Sequence, residues 1–438
     1  MKNIITLKSS KSKSLSGNFS PPGDKSVSIR ALLISSLCLG NSKITNLLES
    51  DDVINTIKCL KNLGIRILKK NGVFEIFGNG GYFKTPKKDL NFGNSGTGVR
   101  LLIGLLSSRE INATFTGDQS LRSRPMMRII EPLLKMNSLI EHNNGFLPVR
   151  IKDNQGLSIP INYKLKIGSA QIKSAILLAS LNVKGTTKIK ELHPSRDHTE
   201  IMLKNFGVKI KKNKNEISIT SPNFLKPKNI IIPGDFSSTA FLIVATLITK
   251  NSRMTFNSVG LNFFRTGLLE ILKRMKAKIK IFNKQYYNGE IVGDIVVESS
   301  DLLATNVEPE IAPRLIDEYP ILFVAASFAS GSSKFRGLGE LKFKESNRLK
   351  AMTEALKFAG VDVEAKEDSL IINGSRIQVG GNIVRTFHDH RIAMSMLVFG
   401  LASEESITID DPKMIKTSFP SFYETLSKAG GNISNVKN

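Results

Sequence analysis

Apolar and polar positions along this chain follow a pattern that restarts. A polar start leads into an Ala/Leu/Ile-rich run of helical length. A Gly/Ser/Asn turn, a β-branched strand and a polar loop follow, then a second helix with a single apolar stripe. Six segments share this design, beginning near Lys25, Ser95, Ser169, Phe236, Asp317 and Asp389, at spacings of 70, 74, 67, 81 and 72 residues. So regular a period marks a repeated supersecondary unit.

In the first copy the pattern predicts an apolar helix over residues 26–39, a turn at Asn41-Ser42, a strand over 43–45 and a second helix over 52–63, ended by Gly64. Val53, Ile57, Leu60 and Leu63 form one stripe of a 3.6-residue period, and Asp51 and Asp52 suit the positive end of that helix. The fourth copy repeats the first: Pro233-Gly234-Asp235-Phe236-Ser237 echoes Pro22-Gly23-Asp24-Lys25-Ser26, and residues 241–248 restate the apolar helix. Residues 73–77 and 217–220 alternate as strands do. The class is mixed α and β. The first helix of each unit, apolar nearly all round, belongs inside, and the amphipathic second one outside. Six such units exceed one hydrophobic core, so two domains of three are expected, with the boundary at Pro233-Gly234.

Hydrophobic residues at 41% and charged residues at 23% exclude a disordered or low-complexity chain, and the best apolar run, residues 241–249, is too short to span a bilayer. The Lys/Ser-rich start, residues 1–16, has a strand-like piece at 4–7 and no apolar centre of a secretory signal. Cys38 and Cys59 both fall in apolar helical patterns and read as small buried hydrophobes. A cytoplasmic protein is expected. With 62 Lys and Arg against 38 Asp and Glu, the charge of +24 suggests an anionic partner: nucleic acid, a membrane surface or a metabolite. Lysine runs such as Lys209, Lys211, Lys212 and Lys214 read as solvated faces. The absence of Trp and the low Tyr count of 6 leave few stacking platforms for a specific nucleic-acid reader.

The unusual polar side chains collect where helices begin. Unpaired N–H groups and the helix dipole make such ends natural phosphate or carboxylate sites, strengthened by Lys or Arg. Pro22-Gly23-Asp24-Lys25-Ser26 with Arg30 combines a tight turn, a cation, hydroxyls and a guanidinium, without the Walker spacing. Asn94-Ser95-Gly96-Thr97-Gly98 with Arg100 lets a ligand approach the backbone, and no dinucleotide context follows. Ser120-Leu121-Arg122-Ser123-Arg124-Pro125, Ser169-Ala170-Gln171-Ile172-Lys173 and Ser195-Arg196-Asp197-His198 come next. Asp317-Glu318-Tyr319-Pro320, Lys344-Glu345-Ser346-Asn347-Arg348 and Asp389-His390-Arg391 then bring in acids. Singly, each reads as a cap or a surface ion pair. Together they point to one anionic substrate set.

In this order, from about Pro21 to Phe422, the motifs resemble those of the 3-phosphoshikimate 1-carboxyvinyltransferases, the EPSP synthase family. The resemblance implies an inside-out barrel of two domains, each of three βαβαββ units, with the active site in the interdomain cleft. Residues 20–234 would form an upper domain; residues 1–19 and 235–438, the N-terminal strand with repeats four to six, a lower one. It implies transfer of the enolpyruvyl group of phosphoenolpyruvate to the 5-hydroxyl of shikimate 3-phosphate through a tetrahedral intermediate, with no metal or organic cofactor. Asp317 matches the family's proton acceptor, and Lys25 and Glu345 the pair handling the methylene proton. Lys25, Ser26, Arg30, Ser169, Ala170, Gln171, Arg196, Asp317 and Lys344 match shikimate 3-phosphate contacts; Lys25, Gly96, Arg124, Gln171, Arg348 and Arg391 match phosphoenolpyruvate contacts. Asn94 and Arg100 match supporting positions.

Some members place a lysine directly before the Thr-Phe-Pro of the last motif. Here Thr417 stands there, and Lys416, one residue earlier at an expected helix start, is taken to replace it. Gly96 leaves room at the enolpyruvate position, so inhibition by glyphosate is expected. A monomer with no membrane or nucleic-acid partner completes the expectation. The rival within the fold is the enzyme that enolpyruvylates UDP-N-acetylglucosamine. It usually carries a reactive loop cysteine, whereas here both cysteines read as packed and Arg122 and Arg124 occupy the loop motif. His388, His390, His193 and His198 lack the companions of a zinc pattern and read as hydrogen-bonding residues.

Overall fold

The computed structural model describes residues 5–222 and 224–437. Of the strand-like piece at 4–7, Ile4 lies outside the described residues, and the strand runs Ile5–Ser10. Each of the six repeats carries two helices of seven or more residues, with short extra turns of helix at Gln119–Arg122 and Ala312–Leu315. The inner ones are α1 (Lys25–Ser36), α3 (Gly96–Leu106), α5 (Ala170–Ala179), α7 (Phe236–Ile248), α9 (Tyr319–Ser327) and α11 (His390–Gly400). The outer ones are α2 (Asp51–Asn62), α4 (Met127–Lys135), α6 (His198–Asn205), α8 (Gly267–Arg274), α10 (Arg348–Phe358) and α12 (Phe422–Lys428).

The inner helices begin where the repeats begin because short polar residues cap them. Asp24, Ser95, Ser169, Asp235 and Asp389 accept from the backbone N–H of Val27, Gly98, Ile172, Ser237 and Arg391 respectively. Every side chain from Phe236 to Leu247 of α7 is buried, as an apolar all-round helix requires, whereas α2 buries Val53, Ile57 and Leu60 and exposes Lys58 and Lys61. Inner helices pack closely: a Cβ on Gly104 of α3 would lie 2.5 Å from Ala175 Cα of α5, so only glycine fits there.

The strands form six four-stranded sheets of one design. In the second repeat the order is Leu90–Asn91, Ala113–Thr116, Phe146–Lys152, Leu139–Asn143: one parallel pair, then antiparallel pairs. The elements run βαβαββ. Three repeats borrow a strand from far along the chain. Ile230–Ile231 completes the first repeat's sheet beside Leu39–Thr45, Ser16–Phe19 completes the fourth beside Arg253–Gly260, and Ile5–Ser10 lies between Ile407–Ile409 and Asn432–Lys437 in the sixth.

The chain divides into two compact units. Among the described residues, unit I comprises those of 23–233 with 286–290, and unit II those up to 22 with 234–285 and 291–437. Each has its own apolar core.

Three local readings need correction. The first helix stops at Ser36, and Leu39–Thr45 is already strand, so Asn41 and Ser42 pair with Phe77 and Ile76 instead of turning. Pairing with a neighbouring strand outweighs the turn preference of Asn and Ser. Cys38 therefore lies past the helix, bridged to Leu225, though it is buried as expected. Lys416 is exposed near the end of a 3-10 segment, Lys413–Thr417, and α12 does not begin until Phe422. Among the described residues, no helix is long and apolar enough to cross a membrane.

Candidate active site

In unit II the starts of three inner helices are tied together by charge. Asp235, capping α7, receives Arg265 Nη2 at 3.2 Å, and that nitrogen also donates to Ser237 Oγ at 2.8 Å. Ser237 donates to the fully buried Glu318 at the start of α9, and Arg391 of α11 approaches Glu318 Oε1 at 3.6 Å. Arg391 Nη1 also donates to the backbone carbonyl of Asp317 at 2.8 Å.

Arg348, 1% exposed, is the hub. Its Nε donates to Asp389 Oδ2 at 2.8 Å, its Nη2 to Glu345, and its Nη1 stands 3.5 Å from Asp317 Oδ1. Lys344 Nζ lies 3.5 Å from the same Asp317 oxygen, and Ser346 donates to Asp389 at 3.0 Å. Burial would lower the Arg348 pKa, but Asp389, Glu345 and Asp317 outweigh it and drive the value up, so the guanidinium keeps its charge. Burial likewise works to raise Asp389, and Arg348 overrides it, holding the carboxyl below its ordinary range.

In unit I, Lys25 Nζ pairs with Asp52 at 3.0 Å; Asp52, expected to serve only the helix dipole, is a buried partner. Asp52 also accepts Thr56 Oγ1 at its backbone carbonyl, and Thr56 lies against Gly98 of α3. Arg100 Nη1 donates to Gln171 Oε1 at 2.9 Å, and Gln171 Nε2 to Thr97 at 3.2 Å. Arg124 is buried and donates to the Asn94 side chain and, at 3.1 Å, to Ser120 Oγ. Asn94 is in turn held by Asp118 at 2.9 Å. Gly96 sits between the two guanidinium groups: a Cβ there would lie 3.0 Å from Arg100 Nη1 and 3.1 Å from Arg124 Nη1.

Arg30 forms the second focus of this unit. It is buried, and donates to Thr199 Oγ1 at 2.7 Å, Ser174 Oγ at 3.0 Å and the backbone carbonyl of Ser26 at 2.9 Å. Ser169 caps α5 beside Ala170 and Gln171, and partly exposed Arg196 precedes α6. Lys173, in the same motif, turns wholly inward to Glu191 and Glu200. Burial would lower its pKa, but the two carboxylates outweigh this and raise it.

The candidate residues thus gather within each unit: Asp317, Lys344, Glu345, Arg348 and Arg391 around one network of unit II, and Gly96, Arg124, Gln171 and Arg100 in one cluster of unit I, beside the Arg30 focus. Among the described residues, no ion pair brings Lys416 into the unit II network. Residues that the sequence reading passed over include Arg265, Glu318 and Ser237 in unit II, and Ser174, Thr199 and Glu191 in unit I. Glu318 and Ser237 stood inside motifs singled out in the sequence; nothing local marked Arg265.

Of the four histidines singled out in the sequence, three are hydrogen-bonded. His198 Nδ1 meets Glu290 at 2.6 Å, His388 Nδ1 meets Asp411 at 2.9 Å, and His390 Nδ1 lies 3.4 Å from Thr417 Oγ1. Among the described residues, no three His, Cys, Asp or Glu are gathered as a metal site. Burial pushes both thiols, Cys38 and Cys59, up to about 12.

The family model for EPSP synthase (3-phosphoshikimate 1-carboxyvinyltransferase) matches residues 9–426. A 3-phosphoshikimate 1-carboxyvinyltransferase of Paramagnetospirillum magneticum is 44% identical over 437 residues, covering 98% of each chain. One from Zymomonas mobilis is 46% identical, covering 97% of this chain and 96% of its own. Among solved structures, EPSP synthase from Acinetobacter baumannii superposes with a TM-score of 0.87 at 38% identity, covering 99% of this chain and all of that one. The enolpyruvyl transferase NikO of Streptomyces tendae, 14% identical with a TM-score of 0.79 over both whole chains, shares the fold.

Proposed function

The chain belongs to the EPSP synthase family and transfers the enolpyruvyl group of phosphoenolpyruvate to the 5-hydroxyl of shikimate 3-phosphate, and we propose that Asp317, Lys25 and Glu345 move its protons. The reaction adds the hydroxyl oxygen to C2 and a proton to C3 of the enol double bond of phosphoenolpyruvate, and then removes a C3 proton as the C2–O bond to phosphate breaks and phosphate leaves. It needs a base at the hydroxyl, an acid at the methylene carbon, and cations around two phosphates and a carboxylate.

Asp317 is the base. Its backbone carbonyl is held by Arg391, and its side chain faces Lys344 and Arg348, each 3.5 Å from one oxygen. Glu345, held by Arg348, and Lys25, beside Asp52, deliver and recover the methylene proton. Arg30, Ser26, Ser169, Ala170, Gln171, Arg196 and Lys344 bind shikimate 3-phosphate. Arg124, Arg348 and Arg391, with Gly96, Lys25, Gln171 and Lys416, receive phosphoenolpyruvate, bidentate guanidinium groups suiting its phosphate and carboxylate. The proposal includes a monomer working in the cytoplasm without metal or organic cofactor, with glyphosate competing at the Gly96 position.

The observation that carries these roles is the buried Arg348, which gathers Asp317, Glu345 and Asp389 on one cation at the starts of α9, α10 and α11. Mass spectrometry of shikimate 3-phosphate incubated with the protein and phosphoenolpyruvate tests it. The acceptor should gain the enolpyruvyl group on its 5-oxygen and inorganic phosphate should appear in equal amount; unchanged acceptor would refute the proposal.

A further inference from the structure

We propose that Lys173 is a positioning residue for shikimate 3-phosphate, a buried clasp that aims Arg196 and Arg30. The inference rests on the function proposed above and extends it to a residue that touches no substrate.

An ammonium group has three donors. Lys173 Nζ donates to Glu191 Oε2 at 3.1 Å and to the backbone carbonyl of Ser195 at 3.0 Å, and forms an ion pair with Glu200 Oε1 at 2.8 Å, in a side chain with no exposed surface. Glu191 Oε1 accepts both the backbone N–H of Ser195, at 3.1 Å, and its hydroxyl, at 2.6 Å. Ser195 is therefore gripped at its nitrogen, its oxygen and its side chain by one ion cluster. Arg196 is the next residue, so its side chain departs from a backbone anchored at Ser195.

The same clasp reaches Arg30. Ser174 follows Lys173 on α5, and Thr199 precedes Glu200 on α6; their hydroxyls meet at 2.7 Å and both accept from Arg30. The Lys173–Glu200 pair holds the two helices at the spacing at which this fork exists. A well-packed apolar pair would hold two helices at least as firmly as a buried ion pair does. What the ionic version adds is direction, because only hydrogen-bonding groups can fix the Ser195 backbone.

The clasp serves one substrate. Arg124 is bound by Asn94 and Ser120, and Gln171 by Arg100 and Thr97, hydrogen bonds separate from those of Lys173 with Glu191 and Ser195. Loosening the clasp should weaken shikimate 3-phosphate and spare phosphoenolpyruvate.

Steady-state kinetics with each substrate varied in turn, on wild type, Ser195→Ala and Lys173→Met, reads this directly. Ser195→Ala removes one arm and leaves the ion cluster whole, so it remains informative if Lys173→Met does not fold. KM for shikimate 3-phosphate should rise about tenfold in Ser195→Ala and about a hundredfold in Lys173→Met. KM for phosphoenolpyruvate and kcat should stay within about threefold of wild type in both. A folded Ser195→Ala with unchanged shikimate 3-phosphate KM, or with both KM values raised alike, overturns the clasp while wild-type turnover leaves the proposed function standing. A wild type that releases no phosphate in the presence of shikimate 3-phosphate overturns both.

Discussion

Arg348 Nε lies 2.8 Å from Asp389 Oδ2, and the same carboxylate, through its other oxygen, caps α11 by accepting the N–H of Arg391 at 2.9 Å. One buried contact thus fixes the start of α10, the start of α11 and the residue whose guanidinium holds the Asp317 carbonyl. The proposed catalytic carboxylates are tied to the starts of two inner helices, α9 and α11, and one outer helix, α10.

Breaking this contact from the Arg348 side should be costly, because Asp389 would remain as a buried charge without its cation. Arg348→Met should lower the free energy of unfolding by about 3–5 kcal/mol, measured by urea denaturation at pH 7. A loss below about 1 kcal/mol, the range of exposed pairs, would show that Arg348 is not structurally tied to Asp389.

The acid dependence follows from the direction of the Asp389 shift. A carboxyl held below its ordinary range contributes stability that is complete above the unfolded value, near pH 4, and is lost as pH falls through the lowered folded value. Asp389→Asn should therefore be less stable than wild type at pH 7, and the gap should narrow as pH falls below about 4. Urea midpoints across that range check this; a constant gap would contradict it.

Gly96→Ala would bring a methyl to within 3.0–3.1 Å of the guanidinium nitrogens of Arg100 and Arg124. Those tips can yield by a few tenths of an ångström, so the fold should survive, while a ligand held there would be displaced. Affinity for glyphosate and phosphoenolpyruvate should fall by roughly 5- to 100-fold, in line with overpacking costs. Inhibition constants and KM values measured on both proteins check this.

Cys38 and Cys59, buried and raised to about 12, should resist thiol reagents in the native protein at pH 7.5 and react fully only after denaturation. Turnover should be unaffected by such treatment. Rapid native labelling coupled to loss of activity would favour a cysteine-dependent chemistry.

Much of this was legible in the sequence because the decisive signals are local. Helix caps such as Asp24, Ser169 and Asp389 act within three residues, and the 3.6-residue stripe of Val53, Ile57 and Leu60 marks its own buried face. What was not legible depends on distance along the chain. Ile5–Ser10 pairs with Asn432–Lys437, and no pattern in either segment names the other. Asp52 reads equally well as a dipole partner until Lys25 is seen beside it. Arg265 became visible only when the fold brought it to Asp235 and Ser237. The helix start expected at Lys416 is absent for a geometric reason: residues 413–417 wind as a 3-10 segment, and the helix begins only at Phe422.

The central claim is that Asp317 activates the 5-hydroxyl of shikimate 3-phosphate toward phosphoenolpyruvate. Phosphate release from phosphoenolpyruvate, followed in parallel for wild type and Asp317→Asn with shikimate 3-phosphate or UDP-N-acetylglucosamine as acceptor, tests it most directly. Wild type should release phosphate with shikimate 3-phosphate alone, and Asp317→Asn should lose about 10²–10⁴-fold in kcat, the range of a general base. Release with the UDP-sugar, or a kcat unchanged by the substitution, would contradict the account.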